Sequence, residues 1–404
     1  MPTSIHAPHG RLLCHVARAF LCKRGIVIPD GAGGQPEAID AEALVQLAAR
    51  EGMAPLILWM AKQDHRLQAS LSDEVVSQLQ AQKQRQHLHS LTLAGELVRT
   101  IRLFQSNGIG VVPFKGPTFA QRYYGDVGRR SFMDLDLLVP REQLLRARDL
   151  LVAAGYAPAI SLSPTEEQAF LESRLAYELF HRQRGTKLEL HWSLLPAHNG
   201  STLPSELLWQ TASPTLFSET PTRTLHKPLY FIYLCAHASK HRWAKLKWLV
   251  DLALLQGTLS FAERVEVREQ ARQLGFARVV ATGLLLLRKV LQVPVPATLV
   301  PLTTDRIAQH LTTEVLDRWL FDELGEGPFR EATWFHLRER ERLRDRVPFL
   351  LHSLRLVVRT SERDKQFVQL PGYLTVAYPL IRALRVLSTD QETRVGQRPE
   401  NRGP

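Results

Sequence analysis

"RSFMDLDLLV", residues 130–139, is the segment that best indicates the fold of this chain. Asp134 and Asp136 alternate with leucines, and the run then becomes continuously apolar, as in a strand that enters a covered sheet. Side chains two residues apart in a strand point to the same side. The pattern therefore places both carboxylates on one face and Leu135 and Leu137 in the core.

Two neighbouring carboxylates repel each other unless a cation lies between them, and Mg²⁺ prefers hard oxygen ligands. The pair of aspartates thus predicts a divalent-cation site at the edge of a sheet. Because a D-x-D pair also occurs by chance in surface strands, its surroundings have to support the site. The later segment "TKLELHWSL", residues 186–194, alternates again and carries Glu189 and His191 on its polar face. Glu189 is the predicted third acid, and His191 is predicted to orient it or contact a nucleotide, unless it is a core-edge histidine bonded to backbone.

The segment "GIGVVPFKG", residues 108–116, predicts a short strand that ends at Gly116. A glycine after a strand allows backbone N–H groups to approach a phosphate, and Lys115 adds a positive charge there. Arg130 lies between this turn and the two acids, where a guanidinium could clamp a phosphate. The alternative for Arg130 is a solvated charge in a loop.

The elements around these motifs follow the order strand, helix, strand, helix, helical insertion, strand, which is typical of an α+β core with a small sheet. We predict an N-terminal helical region over residues 1–105, the catalytic core over 106–200 and a C-terminal helical domain over 201–388. The last residues, 389–404, lack apolar periodicity and predict a disordered tail.

The composition indicates which kinds of partner and cellular location suit the protein. The chain has 404 residues, with 51 lysines and arginines against 40 acidic residues and a formal net charge of +11. This excess favours an anionic partner, although it is also compatible with a role in solubility alone. Three scattered cysteines do not make a disulfide framework, and the apolar runs are too short for a membrane span. We therefore expect a soluble, cytoplasmic protein.

Four segments together carry a resemblance: "FKG" (114–116), "YYGDVGRRSFMDLDLLV" (123–139), "LELHW" (188–192) and "HASKHRWAKLKWLVDLALL" (237–255). They resemble the uncharacterised nucleotidyltransferase family, a branch of the polymerase β-like superfamily, over roughly residues 40 to 300. The resemblance implies a polymerase β-like nucleotidyltransferase core with a small mixed sheet. It also implies that Lys115 and Gly116 occupy the phosphate-loop positions, while Asp134, Asp136 and Glu189 are the metal-binding and catalytic acids.

The implied reaction is the metal-dependent transfer of a nucleoside monophosphate from an NTP, with ATP favoured and two Mg²⁺ ions expected. Members of this family often lie beside bacterial biosynthetic genes. The sequence departs from the wider superfamily at Pro117, where a serine that contacts phosphate is usual. Lys115 or Arg130 is the expected replacement for that contact.

A second basic segment contributes further candidates. His237 and His241 are four residues apart on one helical face, a spacing that can bind a metal. We favour two other roles for them, together with Lys240 and Lys247: they line a substrate cleft, or they cap a helix that packs on the core. Lys240 is accordingly a predicted nucleotide-binding residue. Two other roles are structural: Trp243 and Trp248 are spaced as packing residues, and Asp251 is expected to form a buried ion pair with a lysine or histidine.

Motifs for hydrolase elbows, P-loops and Rossmann dinucleotide sites are absent from the sequence. The leading partner is a nucleoside triphosphate, and a small-molecule or peptide-linked acceptor is favoured over RNA because the basic residues are dispersed. Two alternatives stay open: a nucleotide-binding regulatory or antitoxin-like module that acts through a protein partner, and a nucleotidyltransferase that modifies RNA.

Overall fold

The computed structural model describes residues 7–28, 40–196, 200–321, 329–358 and Tyr378. The tail predicted over residues 389–404 lies outside this part of the chain. The strands are β1 Val112–Phe114, β2 Leu135–Leu138, β3 Ala157–Pro158, β4 Ala176–His181, β5 Thr186–His191, β6 Ser213–Phe217 and β7 Thr220–Thr224. The α-helices are α1 Pro8–Lys23, α2 Ala41–Arg50, α3 Ala54–Ala61, α4 His65–Ser70, α5 Asp73–Ser106, α6 Gly116–Phe119, α7 Leu144–Ala153, α8 Pro164–Ser173, α9 Ser205–Thr211, α10 Lys227–Lys240, α11 Leu246–Gly257, α12 Phe261–Leu274, α13 Ala277–Leu291, α14 Arg306–Glu314, α15 Phe329–Glu339 and α16 Leu343–Val358.

Five strands form one small mixed sheet in the order β1-β2-β5-β4-β3. β2 and β5 are parallel, and the other neighbouring strands are antiparallel. β6 and β7 form a separate antiparallel hairpin. With helical regions before and after the sheet, the structure confirms the predicted α+β class.

Helices cover both faces of the sheet, and the two faces of β2 and β5 carry different kinds of side chain. Leu135, Leu137, Leu188 and Leu190 are buried in one core cluster that also includes side chains of α5 and α7. Burial of one such leucine contributes roughly 1.5–3 kcal/mol. On the other face α10 packs against β1, where the rings of Phe114 and Tyr233 meet edge-on with centroids 5.5 Å apart. The polar side chains of β2 and β5 consequently face α10.

Local sequence signals mark both ends of the longest helix. α5, the longest, begins after Ser72, whose hydroxyl accepts the N–H of Val75 at 3.3 Å, and it ends at Asn107, as the Asn-Gly break predicts. None of the helices in the described part of the chain combines the length and apolar character that crossing a membrane requires.

The strands β3, β4, β6 and β7 were not predicted from the sequence. Apolar alternation does not reveal β4, because Phe180 is apolar but lies on the outer face, where it is 40% exposed. Tyr177 and Leu179 point to the other face and are buried in the core. β6 and β7 are rich in threonine and proline, so their backbone pairing rather than apolar periodicity defines them. The domain boundaries at 105, 200 and 388 stay predictions.

A buried network fixes the segment before β2 to helix α11. The Arg130 guanidinium donates two parallel hydrogen bonds to Asp251, at 2.8 and 2.7 Å, and the Tyr124 hydroxyl donates to the same carboxylate at 2.8 Å. Arg130 and Asp251 are 5% and 2% exposed. The buried ion pair expected at Asp251 is present, but its partner is an arginine and not a lysine or histidine. The arginine fits because its planar fork can satisfy both carboxylate oxygens.

We predict that Asp251→Asn lowers the free energy of unfolding by roughly 3–5 kcal/mol, since it leaves the buried guanidinium of Arg130 without a compensating charge. Urea denaturation followed by circular dichroism measures the change. Asp149→Asn, which breaks an ion pair with Arg148 at a 66% exposed carboxylate, is the matched control and should change stability by less than about 1 kcal/mol. Equal effects of the two substitutions would show that the network does not anchor the segment.

Candidate functional site

The turn after β1 has an unusual backbone at the lysine predicted to meet phosphate. Lys115 has φ 58° and Gly116 has φ 46°, so a non-glycine residue is held in the left-handed region. The Lys115 N–H donates to the Tyr230 hydroxyl at 2.7 Å, which stabilises the turn. Lys115 Nζ then lies 3.3 Å from Asp136 Oδ1. Strain of this kind at a charged residue is a reason to look for function there.

The parallel register of β2 and β5 brings two acids side by side. Asp136 lies opposite Glu189, and His191 follows Glu189 on the same face of β5. Asp136 and His191 are buried, whereas the Glu189 side chain keeps 24% of its surface. His191 Nε2 lies 3.2 Å from Asp136 Oδ1 and 3.3 Å from Glu189 Oε2. We call Asp136, Glu189 and His191 the carboxylate site.

The carboxylate site has the chemistry of a divalent-cation site. One ligand atom from each of its three residues lies within 4.8 Å of the others. Both ring nitrogens of His191 are buried and lack a well-directed hydrogen bond to the described residues, so the ring is available as a ligand. A histidine ligates metal only when it is neutral, so a cation and a proton would compete for His191. Two oxygens and one nitrogen suit a divalent ion; the predicted Mg²⁺ stays a prediction.

Positive groups compensate the buried carboxylates. Burial acts to raise the pKa of Asp136, but Lys115 and His191 outweigh it and hold that pKa below its usual range. Burial likewise opposes ionisation of Glu189, yet His191 and Lys187 lower its pKa. Lys187 Nζ contacts Glu189 Oε1 at 2.9 Å. Both acids are therefore anionic at neutral pH.

Asp134 lies just before β2 and outside the three-residue group. It is half-buried, and burial together with the charges of Asp136 and Glu189 raises its pKa to about 6. The acid is thus close enough to the other two for their charges to interact. Its role as a metal ligand stays a prediction.

The other predicted residues divide between the carboxylate site and its surroundings. Arg130 is committed to Asp251 by two hydrogen bonds, and its predicted contact with phosphate is still untested. Lys240 is at the end of α10, with its side chain exposed. Surrounding protein atoms and the charge on Lys115 lower the Lys240 pKa, while Glu189 acts to raise it. The charge on Lys240 therefore interacts with the charges of Lys115 and Glu189.

Sequence reasoning missed two tyrosines of α10 that shape the site. Tyr230 holds the backbone of Lys115, and the Tyr233 ring centroid lies 5.6 Å from Lys115 Nζ. A signal was available, because Tyr233, His237 and Lys240 recur at spacings of four and three residues on an otherwise apolar helix. Such a polar stripe on a buried helix indicates a surface that faces a site.

His237 and His241 lie together beside Trp248, with ring centroids 5.3 Å apart. Burial and neighbouring lysines, above all Lys115 for His237 and Lys240 for His241, lower the pKa of both; for His241 it falls to about 3. Both rings are therefore neutral at physiological pH.

We expect the lowered pKa of His241 to make stability depend on pH. The unfolded histidine takes up a proton as pH falls below about 6.5, whereas the folded one does not until about pH 3, so the free energy of unfolding decreases below pH 6.5. His241→Asn should lose less stability than the wild type between pH 7.5 and pH 5.5 in parallel urea titrations. Identical losses in the two proteins would mean that His241 protonates equally well in the folded state.

A family model described as "Uncharacterised nucleotidyltransferase" matches residues 37–292, more than half of the chain. The match spans the whole five-stranded sheet and helices α10 and α11, and it confirms the family resemblance and the transferase class predicted from the sequence. No curated protein and no solved structure gives a match.

Proposed function

The chain belongs to the uncharacterised nucleotidyltransferase family, and on that premise we propose that it transfers a nucleoside monophosphate from an NTP to an acceptor molecule. The oxygen of the acceptor forms a bond to the α-phosphorus, the bond from this phosphorus to the bridging oxygen breaks, and pyrophosphate leaves with that electron pair. The observation that carries the proposal is the in-register pair Asp136 and Glu189, with His191 between them.

The three residues of the carboxylate site are the proposed holders of a divalent cation. When bound, magnesium ions would neutralise phosphate charge and polarise the reacting phosphorus centre. Asp134 is the proposed further ligand, since a cation would relieve the repulsion from Asp136 and Glu189 that helps to raise its pKa.

The chain's own basic residues are suited to bind the triphosphate, with ATP the favoured donor. Lys115 at the strained turn contacts Asp136, and the charge of Lys240 at the end of α10 interacts with that of Glu189. Both ammonium groups can meet phosphate oxygens as point charges. Lys115 is the proposed replacement for the serine contact that Pro117 removes, and the Cβ-free backbone of Gly116 permits close approach of a phosphate.

A cavity beside Lys240 supports an acceptor of limited size, such as a small molecule or a peptide-linked group in a bacterial biosynthetic pathway. It has a volume of about 270 Å³ and is lined largely by apolar side chains, among them Leu195, Phe276 and Phe349. Leu195 follows β5 closely in the chain, so the cavity begins near the end of the strand that carries Glu189. A small and largely apolar surface does not suit the phosphate backbone of RNA.

The alternative function is a nucleotide-binding regulatory module that works through a protein partner. Pro117 favours it, since the phosphate contact usual at that position is lacking, and Lys115 already neutralises Asp136 by an ion pair. The two functions differ in one reaction product: only the transferase releases pyrophosphate in the presence of Mg²⁺.

We expect incubation of the protein with an NTP, Mg²⁺ and a host metabolite extract to yield a nucleotidylated product and pyrophosphate. Asp136→Asn should lower product formation by roughly 100-fold or more, the scale on which loss of one charge-stabilising group slows catalysis. Mass spectrometry detects the product, and Asp149→Asn, an exposed carboxylate on α7, is the control that should keep wild-type activity.

Turnover that is unchanged in Asp136→Asn would contradict the catalytic assignment. Binding of the NTP by the wild type without magnesium-dependent release of pyrophosphate would instead identify the regulatory module.

A further inference from the structure

Three ring side chains lie together where α10 ends and α11 begins. His241 stacks on Trp248 with ring centroids 5.3 Å apart and an interplanar angle of 30°, and His237 meets Trp248 edge-on at 5.7 Å. We call these three residues the ring cluster. All three are half-buried, whereas the neighbouring Trp243 is fully buried in the core. The ring cluster therefore presents aromatic surface, which a packing role alone does not require.

The ring cluster connects to the carboxylate site through one tyrosine. Lys115 Nζ contacts Asp136 and lies 5.6 Å from the Tyr233 ring, and the Tyr233 ring centroid is 6.0 Å from that of His237. The four steps from Asp136 to Trp248 thus run along one face of α10. A nucleotide whose phosphates contact Lys115 would place its sugar and base further along the protein surface. This face of α10 presents consecutive rings there.

Two lysines, Lys245 and Lys247, lie next to the ring cluster in the sequence. Lys247 Nζ donates to the Ser131 backbone oxygen at 3.4 Å, and Asp134 acts on the Lys247 charge. Lys245 Nζ is 6.0 Å from the centroid of the Trp248 ring, a distance at which a cation interacts with a π-face.

We propose that His237, His241 and Trp248 form the subsite that binds the nucleobase of the NTP, with the base stacked on the rings and the imidazoles bonding to its polar edge. This inference rests on the proposed function. Stacking on aromatic rings suits any base because each has a π-face, and a neutral imidazole offers both a donor and an acceptor. Metal binding by the two histidines is less well supported, since within the described residues the metal-ligand group found is the carboxylate site.

The test compares NTP binding with binding of inorganic tripolyphosphate, which has the phosphates but no base. Isothermal titration calorimetry of the full chain with Mg²⁺ measures both. We expect Trp248→Leu to weaken ATP binding roughly tenfold, as loss of one stacked base does, and to leave the affinity for tripolyphosphate unchanged. Trp248→Phe, which keeps a ring, should restore most of the affinity for ATP. Trp334→Leu removes a 59% exposed tryptophan from α15 and is the matched control.

The outcomes separate the inference from the function on which it rests. Wild-type protein that binds ATP and tripolyphosphate equally well, or a Trp248→Leu variant that binds ATP as the wild type does, overturns the subsite and leaves the transferase proposal intact. A parallel loss of both ligands in Trp248→Leu also overturns the subsite, because the residue then supports the fold or the phosphates. Wild-type protein that binds neither ATP nor tripolyphosphate would overturn both the subsite and the transferase proposal.

Discussion

Two carboxylates held side by side in a largely buried setting are the constraint on which the rest of this structure depends. The parallel pairing of β2 and β5 sets Asp136 opposite Glu189, and neither acid can ionise there without nearby positive charge. Lys115 and His191 supply that charge to Asp136, and Lys187 supplies it to Glu189. The same excess of acidic oxygen makes the position suitable for a divalent ion.

The helices outside the sheet hold the charged groups in place. α10 supports the strained turn at Lys115 through Tyr230, and α11 anchors the segment before β2 through the bidentate pair of Asp251 with Arg130. The C-terminal helices therefore belong to the site as much as the sheet does. The family match likewise includes both helices and extends past the sheet to residue 292.

The sequence was sufficient for the parts of the site that strand periodicity controls. Alternation in β2 and β5 placed Asp136, Glu189 and His191 on one face, and the structure brings these residues together. Contacts between distant segments could not be read in this way: nothing in local spacing pairs Arg130 with Asp251, 121 positions away. Trp248 looked like a packing residue because spacing along a helix does not reveal that its ring is half-buried beside two histidines.

The most direct measurement of the central claim is pulsed electron paramagnetic resonance of the full chain with Mn²⁺ as a probe of the carboxylate site. The structure predicts that the spin-echo modulation of bound Mn²⁺ contains the signal of a directly coordinated imidazole nitrogen. His191→Gln should remove this signal, and Glu189→Gln should weaken Mn²⁺ binding. Bound Mn²⁺ without any nitrogen coupling, and with equal affinity in Glu189→Gln and the wild type, would contradict the account.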